Sequence, residues 1–231
     1  MTKPSLAQLK MLIDAVLNSI SPGAATYLNR NTADAAYAGY VFGLVLRAVE
    51  LLAAPNSVRL DSAQSGPQNP PPPSVFVIRG APGPLKSKEQ DFGFAVFRYQ
   101  GEDYEIHLGV QYRGSSEVLH EFDISILPAK AANECRTSGK PPGPGKACAM
   151  FECKFYDKNL GIELGREFVG LRSDFTSVPL ARLATNSDSA SVALFLKKNN
   201  RPKLSRRLEP GNPNMENEFI YAVVDELRNS L

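Results

Sequence analysis

Apolar residues recur at helical spacing near the N-terminus, at Leu6, Leu9, Ile13, Val16 and Ile20. Steps of three and four place them on one face of an amphipathic helix. Ser5 precedes the run as a cap, and Ser21-Pro22-Gly23 stops it. A second helix is predicted to begin after Asn31-Thr32 and to end before Pro55. It is apolar nearly all round, from Tyr37 through Phe42 and Leu46 to Leu52, so other elements must enclose it. Its uncharged stretch, twelve residues from Ala35 to Leu46, falls short of the roughly 20 that span a membrane. Gly39 and Gly43 would let a neighbour pack closely against it.

The pattern then changes to a period of two. Val75 to Arg79 is a short apolar run closed by Gly80-Ala81-Pro82-Gly83. Phe92, Phe94 and Val96 alternate with smaller residues, and Gln100 to Asp103 makes a turn. Tyr104, Ile106, Leu108, Val110 and Tyr112 then alternate with Glu105, His107, Gly109 and Gln111, so the two runs are predicted to form a hairpin. Further strands are expected at Val118–Leu127, Cys148–Tyr156 and Ser191–Leu196. Gly161 to Arg172 reads as a helix with Leu164, Phe168 and Leu171 on one face. A last helix opens at Asn212-Pro213, a cap followed by proline at the first helical position, and buries Phe219, Ile220, Val223, Val224 and Leu227. Two stretches lack periodicity. Residues 55–74, with SGPQNPPPPS, read as an extended Pro-rich surface loop, and residues 128–147 as a Pro/Gly-rich insertion loop. The expected organisation is an N-terminal helical extension over 1–30 and a single domain over 31–231.

Composition narrows the class. The chain has 231 residues, 43% of them hydrophobic and 22% charged, which suits one folded domain and excludes wholesale disorder. Lys10 and Asp14 interrupt the first apolar run, so it does not read as a signal peptide, and the expected location is cytoplasmic. Cys135, Cys148 and Cys153 cannot build a disulfide framework and lack zinc-ligand spacing. The formal net charge is only +2, but the run 197–207, KKNNRPKLSRR, carries +6 of it, so the rest of the chain carries −4. Lys197, Lys198, Arg201, Lys203, Arg206 and Arg207 are therefore candidate contacts to a phosphate backbone. The 128–147 loop adds Lys130, Arg136, Lys140 and Lys146 against Glu134.

The candidate chemistry lies on two strands. In the first, His120, Phe122, Ile124 and Ile126 are predicted to face the core, which turns Glu121 and Asp123 to the other side. In the second, Ala149, Phe151, Cys153 and Phe155 form the apolar face, opposite Glu152 and Lys154. If the strands pair, three carboxylates and a lysine converge on one surface. Carboxylate oxygens bind hard cations such as Mg²⁺, and like charges in such a cluster destabilise one another without a cation.

The stretches Glu121-Phe122-Asp123-Ile124 and Phe151-Glu152-Cys153-Lys154, followed by the helix GIELGREFVGL, resemble the PD-(D/E)XK nuclease superfamily. The resemblance covers roughly residues 33 to 196 and implies a restriction-endonuclease-like α/β fold: a central mixed sheet flanked by helices, here with an extra N-terminal helix and hairpin strand. The family order of helix, three-stranded meander, helix and strand would fall on 33–53, 104–112, 118–127, 148–156, 161–173 and 191–196. It implies Asp123 and Glu152 as metal ligands, Lys154 as the catalytic lysine, Glu121 as an auxiliary acid, and Glu50 as an unaligned further acid from the first core helix. The implied metal is Mg²⁺, with Mn²⁺ as substitute. The implied partner is nucleic acid, DNA ahead of RNA, in restriction, defence or repair, with no membrane; a homodimer or a partner protein is compatible with it. No proline precedes Asp123, a departure from the family name.

Other chemistries fare worse. Gly143-Pro144-Gly145-Lys146 fails as a P-loop, because Lys140 stands where the first glycine belongs and Ala147 follows in place of Ser or Thr. No G-x-S-x-G elbow is present. His120 reads as a core or sheet-edge histidine, and Arg166 and Glu167 as an exposed pair. The competing functional reading is a non-catalytic module of the same fold that binds nucleic acid or a partner protein.

Overall fold

The computed structural model describes residues 4–62, 75–87, 91–199 and 203–231. Ser5 and Gln8 form a reciprocal capping box at the start of α1 (Leu6–Ile20), which buries Leu9, Ile13 and Leu17. After the short strand β1 (Ala25–Leu28), Thr32 caps α2 (Ala33–Leu52). α2 is long and apolar enough to cross a membrane by length and composition. Twelve of its residues, from Ala36 to Val49, are instead buried within the protein. α1 packs into the same core as α2 and is continuous with the domain rather than appended to it.

The chain continues through β2 (Arg59–Ser62), β3 (Val75–Ile78), β4 (Gly93–Tyr99), β5 (Glu102–Arg113) and β6 (Leu119–Pro128). Then come α3 (Ala129–Ser138), β7 (Ala149–Lys154), α4 (Ile162–Asp174), β8 (Leu180–Thr185), α5 (Ala190–Lys198), β9 (Lys203–Ser205) and α6 (Pro213–Arg228). A seven-stranded mixed sheet runs in the order β2-β4-β5-β6-β7-β8-β9. It is antiparallel from β2 to β7 and parallel from β7 to β9. β1 and β3 form a separate parallel pair. α1, α2 and α6 cover one face of the large sheet over Ile106, Ile124, Ile126 and Phe151. α3, α4 and α5 cover the other over Tyr112, Phe122, Met150 and Leu183. This is the expected α/β architecture with a central mixed sheet.

Several elements differ from the sequence expectation. The 128–147 segment is not one loop: its first half is α3, which buries Ala131, Ala132 and Cys135, and only its Pro/Gly-rich second half is irregular. Residues 191–196 form part of the helix α5, capped by Ser189, rather than a strand. A short apolar run reads either way by periodicity, and Val192 and Leu196, both buried, are four apart. The strand that follows α4 is β8, whose six residues are all buried and therefore show no alternation. The 55–74 segment contains β2, and its proline run lies outside the described residues.

Both sides of the sheet are packed, and β6 does not keep one face toward one core. Ile124 and Ile126 join the α2 side, whereas Phe122 joins the opposite core. β5 switches at the same level, with Leu108 on one side and Val110 and Tyr112 on the other. Gly109 sits between them at φ +58°, a left-handed conformation that a residue with a Cβ adopts at a cost. The pairing stays in register across the switch, Leu108 with Ile124 and Val110 with Phe122.

Candidate active site

β6 and β7 pair over three positions only: Ile126 with Ala149, Ser125 with Met150, and Ile124 with Phe151. Beyond that point the ladder ends, so Asp123 on one strand and Glu152 to Lys154 on the other flank a gap. The Asp123 carboxylate enters this gap. Its Oδ2 accepts a hydrogen bond from the Cys153 backbone N–H at 2.7 Å. A side chain thus takes the place of a missing ladder bond, and the carboxylate is fixed at the point where the strands part.

Glu152 and Lys154 stand two apart on β7 and share a face. Lys154 Nζ lies 2.6 Å from Glu152 Oε1, and both side chains are largely buried. Burial opposes the charge on Lys154, but Glu152 and Asp123 outweigh it and raise its pKa above that of a free lysine. Burial, and then the charge of Glu152, push Asp123 well above the ordinary carboxylate range. Burial and Glu152 also raise Glu121, against the pull of Lys154, Arg79 and Arg30. The three acids and Lys154 therefore sense one another, as the strand pattern predicts. For Asp123 and Glu121 burial is the larger cause and the charge of Glu152 adds to it, while the Cys153 N–H and Lys154 act against it at Asp123.

Glu121, Asp123 and Lys154 line a cleft of about 560 Å³. Its other walls are the first turns of α2 (Thr32, Asp34, Ala35, Ala38), the loop after β3 (Arg79, Gly80, Pro82) and Tyr156. Reciprocal hydrogen bonds of 2.9 Å join the Tyr156 backbone to the Asn186 side-chain amide, which ties the end of β7 to the loop after β8. A larger and shallower depression of about 760 Å³ lies between the β4–β5 turn and α3. Glu102, Asp103 and Glu134 line it, but Asp103 is paired to Arg98 and Glu134 to Lys146 on the surface, so size alone does not mark the site.

Other sequence candidates sit elsewhere. Glu50 lies sixteen residues beyond Asp34 on α2, about 24 Å along the helix. It lines a separate cleft with Arg47 and Glu216, so it is not brought to the acidic cluster, and Asp34 is the α2 acid that is. The basic run is divided rather than continuous. Lys197 and Lys198 end α5, which runs back from the site end of β8 toward its start. Lys203 opens β9 beside Arg182. Arg206 and Arg207 follow β9 at the same end of the sheet as Lys154, two strands away, or about 10 Å. Both are ion-paired to Asp188. Arg201 lies outside the described residues. His120 is half-buried at a sheet edge and binds Asp174 at 2.7 Å, which joins the β5–β6 turn to the end of α4.

The structure adds two residues that the sequence pattern did not single out. Arg79 is buried at the cleft wall, and burial lowers its pKa to about 10 although Glu121 opposes the shift. Arg30 lines the same cleft from the loop after β1 and is exposed. Each sits next to a turn with no motif around it, so only the three-dimensional arrangement reveals them.

Among the described residues, no group of three or more His, Cys, Asp or Glu side chains is gathered tightly enough to hold a metal ion by itself. Mg²⁺ is usually held by one or two carboxylates together with waters and substrate phosphates. Asp123, on the cleft wall with Glu121 and held by the Cys153 N–H, fits that donor set.

No family model matches the chain, and no curated protein matches it. Among solved structures, the crystal structure of a protein of unknown function, AF1548, is similar over 55% of this chain and 79% of that one, with 15% identity and a TM-score of 0.34. A likeness at that level carries no argument about fold or function.

Proposed function

We propose that the protein is a metal-dependent nuclease that hydrolyses phosphodiester bonds, DNA ahead of RNA. One observation carries the reading: Asp123, Glu152, Glu121 and Lys154 meet where β6 and β7 part, and burial together with the charge of Glu152 raises Asp123 and Glu121. In this reading Asp123 and Glu152 hold Mg²⁺ or Mn²⁺, with Glu121 as an auxiliary acid. The cation supplies charge stabilisation at the phosphoryl oxygens and a more acidic bound water. Asp123 is pre-oriented for this by its bond to Cys153 N–H. Lys154, kept protonated by its acidic neighbours, donates hydrogen bonds to the attacking water or to a phosphate oxygen. Arg206 and Arg207, at the same end of the sheet, extend the contact to the strand beyond the cleft once freed from Asp188. The buried or half-buried free thiols of Cys135, Cys148 and Cys153 fit a reducing, cytoplasmic setting.

The test is cleavage of plasmid and oligonucleotide substrates with and without EDTA, for the wild type and for Asp123→Ala and Lys154→Ala. Metal-dependent cleavage lost in both variants supports the reading. No metal-dependent activity on DNA or RNA, or equal activity in the variants, sinks it. The 2.6 Å pair between Lys154 and Glu152 favours a second reading, a non-catalytic binding module in which these charges only neutralise each other. Salt-dependent DNA binding indifferent to Mg²⁺ and to Glu152→Gln would decide for it.

A further inference from the structure

The cleft has an acidic floor and a basic wall. Arg79 is 8% exposed, and its guanidinium packs over the Phe92 ring at 4.1 Å. Its Nη2 donates to the Pro84 carbonyl at 2.9 Å, while its buried Nε has no hydrogen-bond partner among the described residues. No carboxylate among the described residues lies within ion-pair distance of it, although Glu121 is close by: a Cβ placed on Gly109 would meet Arg79 Cδ at 2.8 Å and Glu121 Oε1 at 3.2 Å. A buried guanidinium without a contacting anion is unfavourable unless a partner arrives. The local sequence makes room for it. Any side chain at Gly83 would strike Arg79 Nη1, and one at Gly80 would meet Arg30 Cβ at 2.6 Å. Glycines at these two positions seat two arginines in one wall, facing a cleft whose other side carries Lys154.

We infer that Arg79 and Arg30 form a phosphate clamp, which grips the backbone of a nucleic-acid strand opposite Lys154 and positions the phosphate over Asp123. The inference rests on the nuclease reading and names what holds its substrate. The guanidinium fork suits a phosphate, to which it offers two parallel donors, whereas an ammonium offers a point charge. Arg79 is rigid and pre-oriented by Phe92 and Pro84, and Arg30 is exposed and adaptable. Arg79 is a positioning residue here, since nothing places it on the attacking water.

The experiment measures binding rather than cleavage. Fluorescence anisotropy with short single- and double-stranded DNA in EDTA, over a series of salt concentrations, compares the wild type with Arg79→Met, Arg79→Lys and Arg30→Ala. Arg79→Met and Arg30→Ala are each expected to weaken binding about 10-fold. Each should lower the slope of log affinity against log salt by about 0.7–0.9, the value for one lost phosphate contact. Arg79→Lys should keep the slope and lose part of the affinity. A purely structural role for Arg79 would move the melting temperature and leave the salt slope alone. Should Arg79→Met not fold, Arg79→Lys and the exposed Arg30→Ala carry the test. Wild-type binding with unchanged affinity and slope in the variants overturns the clamp alone. Absence of wild-type binding to either DNA form in EDTA also overturns the clamp, while the nuclease reading stands or falls separately on the metal-dependent cleavage test.

Discussion

Replacing Asp123 by Asn should stabilise the metal-free protein, the opposite of what removing a buried, hydrogen-bonded group usually does. β6 and β7 are in register at Ile124 and Phe151, so Asp123 and Glu152 follow as cross-strand neighbours at the point of divergence. Two like charges about 6 Å apart at an effective dielectric constant of about 20 repel by about 3 kcal/mol. Lys154, 2.6 Å from Glu152, cancels part of this. Asparagine can still accept the Cys153 N–H but loses the charge-assisted share of that bond, about 1 kcal/mol. The balance is about 1 kcal/mol in favour of Asn, or about 2–4 °C in Tm for a domain of this size. The pH dependence has a definite sign. Asp123 has a raised pKa in the folded state, so its contribution to wild-type stability is full below the unfolded carboxylate value and is lost as pH rises through the folded value. The advantage of Asn therefore grows as pH rises through the folded value and vanishes in acid. Divalent cation reverses the order: at a tenfold excess over Kd it stabilises the wild type by about 1.4 kcal/mol and the variant much less. Calorimetry is the assay, since the chain has no Trp. A variant less stable than wild type in EDTA at pH 7, or equally stabilised by Mg²⁺, would refute the reasoning.

Three further outcomes are expected. Lys154→Met should lower cleavage by about 10²–10³-fold, with Mg²⁺-induced stabilisation retained; calorimetric loss of that stabilisation would place Lys154 in metal binding instead. Arg136→Met should cost about 3–5 kcal/mol, because it leaves Glu105, which Arg136 grips with two hydrogen bonds, buried without its cation. Urea denaturation reads this, and a loss below about 1 kcal/mol would show that His107 alone suffices. Gly109→Ala should cost about 1–2 kcal/mol through its positive φ and also weaken DNA binding, since its Cβ would displace Arg79. An unchanged melting temperature contradicts the first part and unchanged affinity the second.

The legible parts of the fold were those whose apolar positions keep a period, even where, as in β5, both faces are buried. The amphipathic α1 and α6 and the alternating strands β5 and β6 declared themselves, and with them the convergence of Glu121, Asp123, Glu152 and Lys154. β8 was illegible because burial on both faces erases the period of two. α5 was misread because nine residues give too few turns to separate helical from strand spacing. α3 was hidden by the Pro/Gly-rich residues that follow it within the same polar stretch. Charge counting found the basic run but not its division, which depends on where α5 turns back and on Asp188, a single acid ahead of α5 that claims two arginines. Arg79 and Arg30 left no trace in composition or period, since their meaning lies in glycines and strands distant in sequence.

Two carboxylates on neighbouring strands, the fully buried Glu105 and the half-buried Asp123, are treated differently. Glu105 on β5 is fully buried, yet hydrogen bonds from His107 and Arg136 outweigh burial and hold its pKa below the ordinary range. Arg136 reaches it from α3, and Phe94 stacks on His107 at 4.7 Å. That carboxylate is neutralised within the protein and has no need of a ligand. Asp123 receives one backbone N–H, which burial and then the charges of Glu152 and Glu121 outweigh, so its pKa moves the other way. The nearest cation, Lys154, is already paired to Glu152. A half-buried acid whose pKa is raised, at a break in the ladder and opening on a cleft, is more readily explained as a waiting ligand than as a stabilising element. The compensated Glu105 provides the internal control: Glu105→Gln should destabilise the protein in EDTA at neutral pH, and Asp123→Asn should stabilise it. The same sign for both would remove the ground for treating Asp123 as a cation ligand.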